Sequence, residues 1–332
     1  MLRQSKILQT LCCLTTLSAL LWPAMSQAQT ATPTAFIDTF GKIFGEHKGV
    51  RKGHAKGFCF SGEFQGDPAV AKYSQSALFS GAVYPLVGRF SMAGGNPKAA
   101  ENSRSPRGMA AQIQLGKGEL QHFALLSTPV FGAKDPDSFL GLLQASIPDP
   151  ATGKPDGAKI AAYRKAHPDT QAQAQYLSQT APPASYGSTP YFGLHSFLLT
   201  TADGKQQAVR WHFEPVDGRQ GLTDAEIAAA PSDFLETRLQ QRLKQGPVLF
   251  RLQLVLASPA DQLLDPSQAW PADRPVLQAG ELRITQSGGA ACNNLNFDPN
   301  VLAAGISPSA DPVLQMRSAA YAVSFGKRLS GQ

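Results

Sequence analysis

From residue 58 onward the chain keeps returning to short segments of alternating apolar and polar residues, each closed by glycine or proline. Segments 58–64, 83–95, 107–115 and 121–131 follow one another closely, with a polar loop at 96–106 between the second and third. Strands this close together are joined by hairpins or short loops, so the spacing predicts an antiparallel barrel or sandwich. The fourth segment contains Pro129, which has to fall at a sheet edge or exit. Residues 195–205 read as a strand entering an Asp203-Gly204 turn, with 206–215 as its returning partner. Segment 248–256 alternates cleanly, and 280–286 reads as a last short strand.

Helical stretches are interspersed with these strands. Residues 29–49 form an N-terminal arm, a short helix with Phe36, Ile37, Phe40 and Ile43 on one stripe. Residues 137–145 and 158–179 read as a short and a longer helix. A further helix over 223–246 opens on the Thr223 to Glu226 capping box and stops at Gly246-Pro247. The last helix, 311–328, has Asp311 as its cap, Pro312 in its first turn and Gly326 as its stop. Arg317 and Tyr321 sit four apart and share a face, with Ala319, Ala320 and Ala322 beside them leaving room for something flat. A guanidinium beside a phenol favours the ionised oxygen, a hard anionic ligand for ferric iron. On their own the two residues read more readily as a buried structural pair on a core helix.

Residues 1–28 carry Arg3 and Lys6, an apolar run from 7 to 22 and a small-residue end at Ser26-Gln27-Ala28. That pattern predicts a secretory signal peptide, cleaved after Ala28, and a periplasmic protein. The run is too short and too interrupted for a membrane span. Removing Arg3 and Lys6 from the 30 basic residues leaves 28 against 24 acidic ones, scattered along the chain. So mild an excess argues against a nucleic-acid partner. Two cysteines remain beyond the leader, Cys59 and Cys292, and a disulfide or two buried thiols would each fit. No paired Cys/His spacing points to zinc.

Five short motifs then fall in order: Arg51-x-x-His54-Ala55-Lys56-Gly57, Arg89-Phe90-Ser91, Ser105-Pro106-Arg107-Gly108, Asn296-Phe297-Asp298-Pro299 and Arg317-x-x-x-Tyr321. In order and approximate spacing the chain resembles the haem catalases from about residue 50 to 328, as a short, peroxidase-type member. The resemblance implies an α+β fold, an antiparallel β-barrel of catalase type with surrounding helices, and a haem-binding core over 50–332. It implies haem b as cofactor, with Tyr321 as the iron ligand and Arg317 holding it as tyrosinate. His195 and Asp311 match the residues around that arginine. Arg51, Arg89 and Arg328 match the arginines that pair with the haem propionates, a role suited to the guanidinium fork. His54 matches the distal acid–base residue, Ser91 its hydrogen-bond support, and Phe131 and Phe139 pocket aromatics that also suit an ordinary core.

The implied reaction is peroxidase chemistry on hydrogen peroxide or an organic peroxide, with a small organic reductant. Two departures shape that expectation. Where full catalases read Asn-Asn-Thr-Pro, this chain reads Leu126-Ser127-Thr128-Pro129, so the distal asparagine that helps place peroxide is replaced and catalase activity is expected to be weak. Phe325 stands where a histidine is often found. The sequence ends four residues after Arg328, which predicts a barer haem edge and a monomer or small homo-oligomer rather than a large interlocked tetramer. A hydroperoxide lyase or isomerase on the same scaffold, a residual true catalase and a haem carrier are the alternatives.

Overall fold

The computed structural model describes residues 30–332, and Ala31–Gln332 form one compact unit. The leader expected at 1–28 lies outside the described residues. Helix α1 (Pro33–Phe44) opens the unit, with the Thr32 side chain accepting from the Ala35 N–H and proline in the first turn. Strands β1 (Gly57–Gly66), β2 (Val83–Met92), β3 (Arg107–Gly116) and β4 (Glu119–Leu126) follow as an antiparallel meander. Helices α2 (Pro136–Ala145), α3 (Gly157–Ala166) and α4 (Ala172–Gln179) come next, then β5 (Tyr191–Phe192), β6 (Phe197–Thr200) and β7 (Gln206–Pro215). Helices α5 (Asp224–Ala229) and α6 (Leu235–Leu243) precede β8 (Val248–Leu256), β9 (Val276–Ser287) and β10 (Ile306–Pro308), and α7 (Pro312–Leu329) ends the fold.

The strands close on themselves. The order β7-β5-β4-β3-β2-β1-β9-β8 returns to β7, so eight antiparallel strands form a barrel, with β6 and β10 added beside β7. Closure removes the exposed strand edges that an open sheet of this size would present. The main core is aromatic: Phe60, Phe64, Phe90, Phe123, Phe213 and Phe250 are all almost fully buried, each worth roughly 1.5–3 kcal/mol of apolar burial.

Strand register fixes what the opposite face carries. Because side chains alternate, Phe58, Phe90, Met109 and Leu125 fall in one cross-strand row of the core face, and the rows on either side point away from it. One such row is Gly57, Ser91, Gly108 and Leu126; the next is Cys59, Arg89, Ala110 and Ala124. This outer face, with three of its eight positions taken by alanine or cysteine and two by glycine, is the floor on which the site is built.

Several expected elements differ at their ends. The strand foreseen over 121–131 stops at Leu126, and the segment from Ser127 through Pro129 to Phe131 leaves the sheet. The long helix over 158–179 is two helices, because Pro168 has no N–H to continue the first and instead opens a short turn. Pro231 likewise separates α5 from α6 within 223–246. The short last strand at 280–286 is the longer β9, and α7 runs through Gly326 to Leu329, so that glycine is an interior helical residue and Ser330 caps the end. Strands β5 and β10, of two and three residues, are too short to leave a period in the sequence.

Candidate active site

A cavity of about 410 Å³ lies over the outer rows of β2, β3 and β4, walled by α7, α1 and the segments around residues 51–54 and 296–297. Helix α7 enters the site through its cap. Asp311 Oδ1 accepts from the Val313 and Leu314 N–H groups, fixing the first turn. Its second oxygen, Oδ2, lies 2.6 Å from His195 Nδ1, and both side chains are fully buried. His195 Nε2 is 3.1 Å from Arg317 Nη1, and Arg317 Nη2 donates to the Tyr321 oxygen at 2.6 Å.

The proton positions in this relay follow from the donors. A guanidinium can only donate, so His195 Nε2 accepts and Nδ1–H donates to Asp311. Burial lowers the His195 pKa and outweighs the hydrogen bond from Asp311, which keeps the imidazole neutral in that tautomer. The carboxylate thus orients the imidazole, the imidazole orients the guanidinium, and the guanidinium presents one N–H to the phenol oxygen.

His54 stands on the loop before β1. Its backbone is left-handed, with φ of 55°, a conformation that is uncommon for a non-glycine residue and is held here from outside. Arg89 holds it: Nη1 donates to the His54 carbonyl at 2.7 Å and Nη2 to the Ala55 carbonyl at 3.0 Å. His54 Nδ1 is 2.9 Å from Ser91 Oγ, which leaves Nε2 as the ring nitrogen without a protein partner. Gly108, across the ladder from Ser91, makes the pair possible, because a Cβ there would come within 2.6 Å of Ser91 Oγ and 2.8 Å of His54 Nδ1. Burial, reinforced by the charges of Arg89, Arg317 and Arg51, pushes the His54 imidazole down to about 3, so it is neutral at ordinary pH.

Positive charge is concentrated without compensation. Arg51, Arg89, Arg317 and Arg328 all line the cavity, and none forms an ion pair with a carboxylate among the described residues. Burial and the neighbouring Arg89 and Arg328 bring Arg51 down to about 9, and burial brings Arg89 down to about 10. Both remain protonated at neutral pH. Like charges held in a partly desolvated pocket are unfavourable unless an anion joins them. The rest of the lining is mostly apolar, including Phe131 and Phe139, whose rings lie 4.6 Å apart, and Leu126 at the end of the Ser91 row, with Gln173, Asn296 and Ser324 among its polar members.

Nine of the eleven residues singled out from sequence line this one cavity, Arg51, His54, Arg89, Ser91, Phe131, Phe139, Arg317, Tyr321 and Arg328, while Asp311 stays behind it as the cap of α7. His195 does not line it either. It was grouped with the cofactor-binding residues, but it sits fully buried behind Arg317 and reaches the cavity only through that guanidinium. Of the three alanines expected beside Tyr321, Ala320 lines the cavity while Ala319 and Ala322 are exposed. Sequence reasoning missed the roof. Phe36, Ile37, Phe40 and Phe44 of α1 close the cavity; the first three belong to the stripe expected from sequence, which gave no sign of what it covered, and Phe44 rather than Ile43 completes the roof. It also left Cys59 and Cys292 open, and they form a disulfide.

Barrel and cavity together define a class: an antiparallel β-barrel protein with a largely apolar, arginine-lined cavity on its outer face, reached by a relay-held phenol and a neutral imidazole. The family model Catalase matches residues 31–332, and the chain belongs to the catalase family. It is 45% identical over 278 residues to a catalase-related peroxidase of Synechococcus elongatus, covering 83% of this chain and 82% of that one. A catalase-related peroxidase of Mycolicibacterium paratuberculosis is 32% identical over 304 residues, covering 90% and 95%. Among solved structures, a bacterial catalase superposes with a TM-score of 0.78 at 23% identity, and a fungal catalase with 0.78 at 22%. The chain covers 63% and 60% of those two proteins' lengths.

Proposed function

We propose that this protein is an exported, periplasmic haem peroxidase that reduces hydrogen peroxide or organic peroxides at the expense of small organic reductants. The observation that carries the reading is the set of uncompensated guanidinium groups around an apolar cavity that also receives the Tyr321 phenol and the neutral His54. Haem would fit that donor set, its apolar ring against the apolar walls and its two carboxylates against the arginines. Arg51, Arg89 and Arg328 would hold the propionates, and Tyr321 the iron. Family membership and two catalase-related peroxidase relatives support an oxidoreductase acting on peroxide.

When bound, haem supplies the redox chemistry that breaks the peroxide O–O bond. The protein's residues manage protons and charge. With Nδ1–H donating to Ser91 Oγ, His54 Nε2 presents its lone pair to the cavity, takes a proton from the near peroxide oxygen and returns it to the departing one. The leaving group is then water or an alcohol, a far weaker base than the anion it would otherwise be. Arg317 donates to the Tyr321 oxygen that would hold the iron, and the His195–Asp311 pair keeps Arg317 aimed at it.

Leu126 tunes the outcome. It closes the row that starts at Gly57 and Ser91, where an amide would supply a hydrogen bond to a peroxide and an isobutyl group supplies none. A second peroxide is then poorly oriented, and an organic reductant takes its place. With haem incorporated, hydrogen peroxide should drive oxidation of a phenolic dye much faster than it releases oxygen. Oxygen release as the dominant reaction would contradict the peroxidase assignment.

A further inference from the structure

The Cys59–Cys292 disulfide lies at the centre of the arginine cluster. On one side, Cys59 is the direct cross-strand partner of Arg89 and shares its face of the sheet. On the other, the Cys292 carbonyl accepts from Arg51 Nη2 at 3.0 Å. The Leu295 carbonyl, one turn further along the same loop, accepts from Arg51 Nη2 at 2.9 Å and from Arg328 Nη2 at 3.4 Å. The three arginines assigned to the propionates therefore meet either the strand or the loop that this single bond joins.

The loop has little else to hold it there. From residue 290 to 297 the backbone bonds it donates are local turns, Asn293 N–H to Ala290 and Leu295 N–H to Cys292, it begins with Gly288 and Gly289 in left-handed conformations, and the ties to β4 and α7 start only at Asp298. Among the described residues its ties to β1 are the disulfide, the Cys292 N–H to the Cys59 sulfur at 3.1 Å, which that bond itself brings together, and one backbone bond, from the Gly288 N–H to the Cys59 carbonyl. Cys59, Cys292 and Phe297 make a small buried cluster apart from the main core, and Phe297 both lines the cavity and lies under the Arg51 guanidinium. Both cysteines are buried, at 2% and 0% exposure.

We propose that the Cys59–Cys292 disulfide is a positioning group for the cofactor: it pins loop 288–297 to β1 so that Arg51 and Arg328, beside Arg89, point at the cofactor's carboxylates. The proposal rests on the haem reading above. A purely stabilising cross-link would affect the whole fold and would be indifferent to whether the ligand carries carboxylates. A positioning one acts through the carboxylates alone.

The test compares haem loss to an excess of a high-affinity apoprotein scavenger, for wild type and Cys59→Ala/Cys292→Ala, each loaded with protohaem or its dimethyl ester. The variant should release protohaem on the order of 10-fold faster, the scale of effect seen when groups that orient ligands are removed. It should release the ester, which has no carboxylates, at the wild-type rate. Wild type reduced by a dithiol and compared with oxidised wild type provides the same pair of rates if the variant does not fold. Equal acceleration for both haems, or no change for either, would overturn the positioning role. A wild-type protein that takes up neither haem would instead refute the haem reading.

Discussion

His195 Nδ1 lies 2.6 Å from Asp311 Oδ2, so the residue that caps the last helix also sets the tautomer of the imidazole behind Arg317. These two duties can be separated. Asparagine still caps a helix, so Asp311→Asn should keep α7. Its amide nitrogen would face His195 Nδ1 as a donor, pushing the ring proton onto Nε2 and into the Arg317 N–H. We expect a folded protein whose peroxidase rate drops roughly 10- to 100-fold and whose haem absorption bands shift. Circular dichroism and the visible spectrum, recorded together, check both halves of the claim.

The buried, neutral His54 predicts a pH dependence with a definite sign. Its folded pKa, about 3, lies below the roughly 6.5 of an unfolded histidine, so between those values the unfolded chain binds the extra proton. Stability is therefore full above about 6.5 and falls as pH drops toward 3. His122, His195 and His212 are also lowered, chiefly by burial, and add slopes of the same sign. The measurement is accordingly a difference: from pH 7 to pH 4 the Tm of the apoprotein should fall less in His54→Gln than in wild type. The same variant, loaded with haem, should lose about 10²- to 10⁴-fold in peroxide turnover.

Arg328 is the least tied of the three arginines proposed to hold the carboxylates, with a 3.4 Å bond to Leu295 and the Phe325 ring, whose centroid lies 4.8 Å from its guanidinium carbon. Replacing it relieves like-charge crowding on Arg51. Arg328→Gln should leave the apoprotein as stable as wild type or slightly more so, and weaken haem binding by about 10-fold, the worth of one charge-assisted hydrogen bond. Calorimetry of the apoprotein and a haem titration give the two numbers.

Leu126→Asn restores an amide at the end of the Ser91 row. Oxygen release per dye molecule oxidised should rise, while some stability is lost because a half-buried apolar side chain is replaced by one with two polar groups to satisfy. An oxygen electrode beside a dye assay reads the ratio, and an unchanged ratio would remove Leu126 from the account of specificity.

How much of this could be read without coordinates depends on the range of each signal. The alternating periods of β1 to β4, β7 and β8 were legible because barrel strands bury one face, and the Thr223 capping box was legible because it is local. Tyr321 and Arg317 were legible as a pair because they sit four apart on one helix. Closure of the barrel through β7 and β8 was not, since it depends on pairing across elements that no local pattern reports. The same holds for α1 as the cavity roof and for Cys59 meeting Cys292 across 233 residues, whereas His195 beside Arg317 was legible only through the family resemblance. Pro168 and Pro231, which divide two expected helices, were present to be read, and the surrounding polar helical composition outweighed them.

The central claim is that Tyr321 is the group through which the protein holds iron. Its most direct test is the ultraviolet–visible spectrum of haem-loaded wild type beside that of Tyr321→Phe. Phenylalanine keeps the ring and the packing but removes the oxygen to which Arg317 donates at 2.6 Å. The account predicts that the variant still takes up haem through its arginines and apolar walls, with a displaced Soret band, altered charge-transfer bands and little peroxidase activity. A variant spectrum indistinguishable from wild type would contradict it.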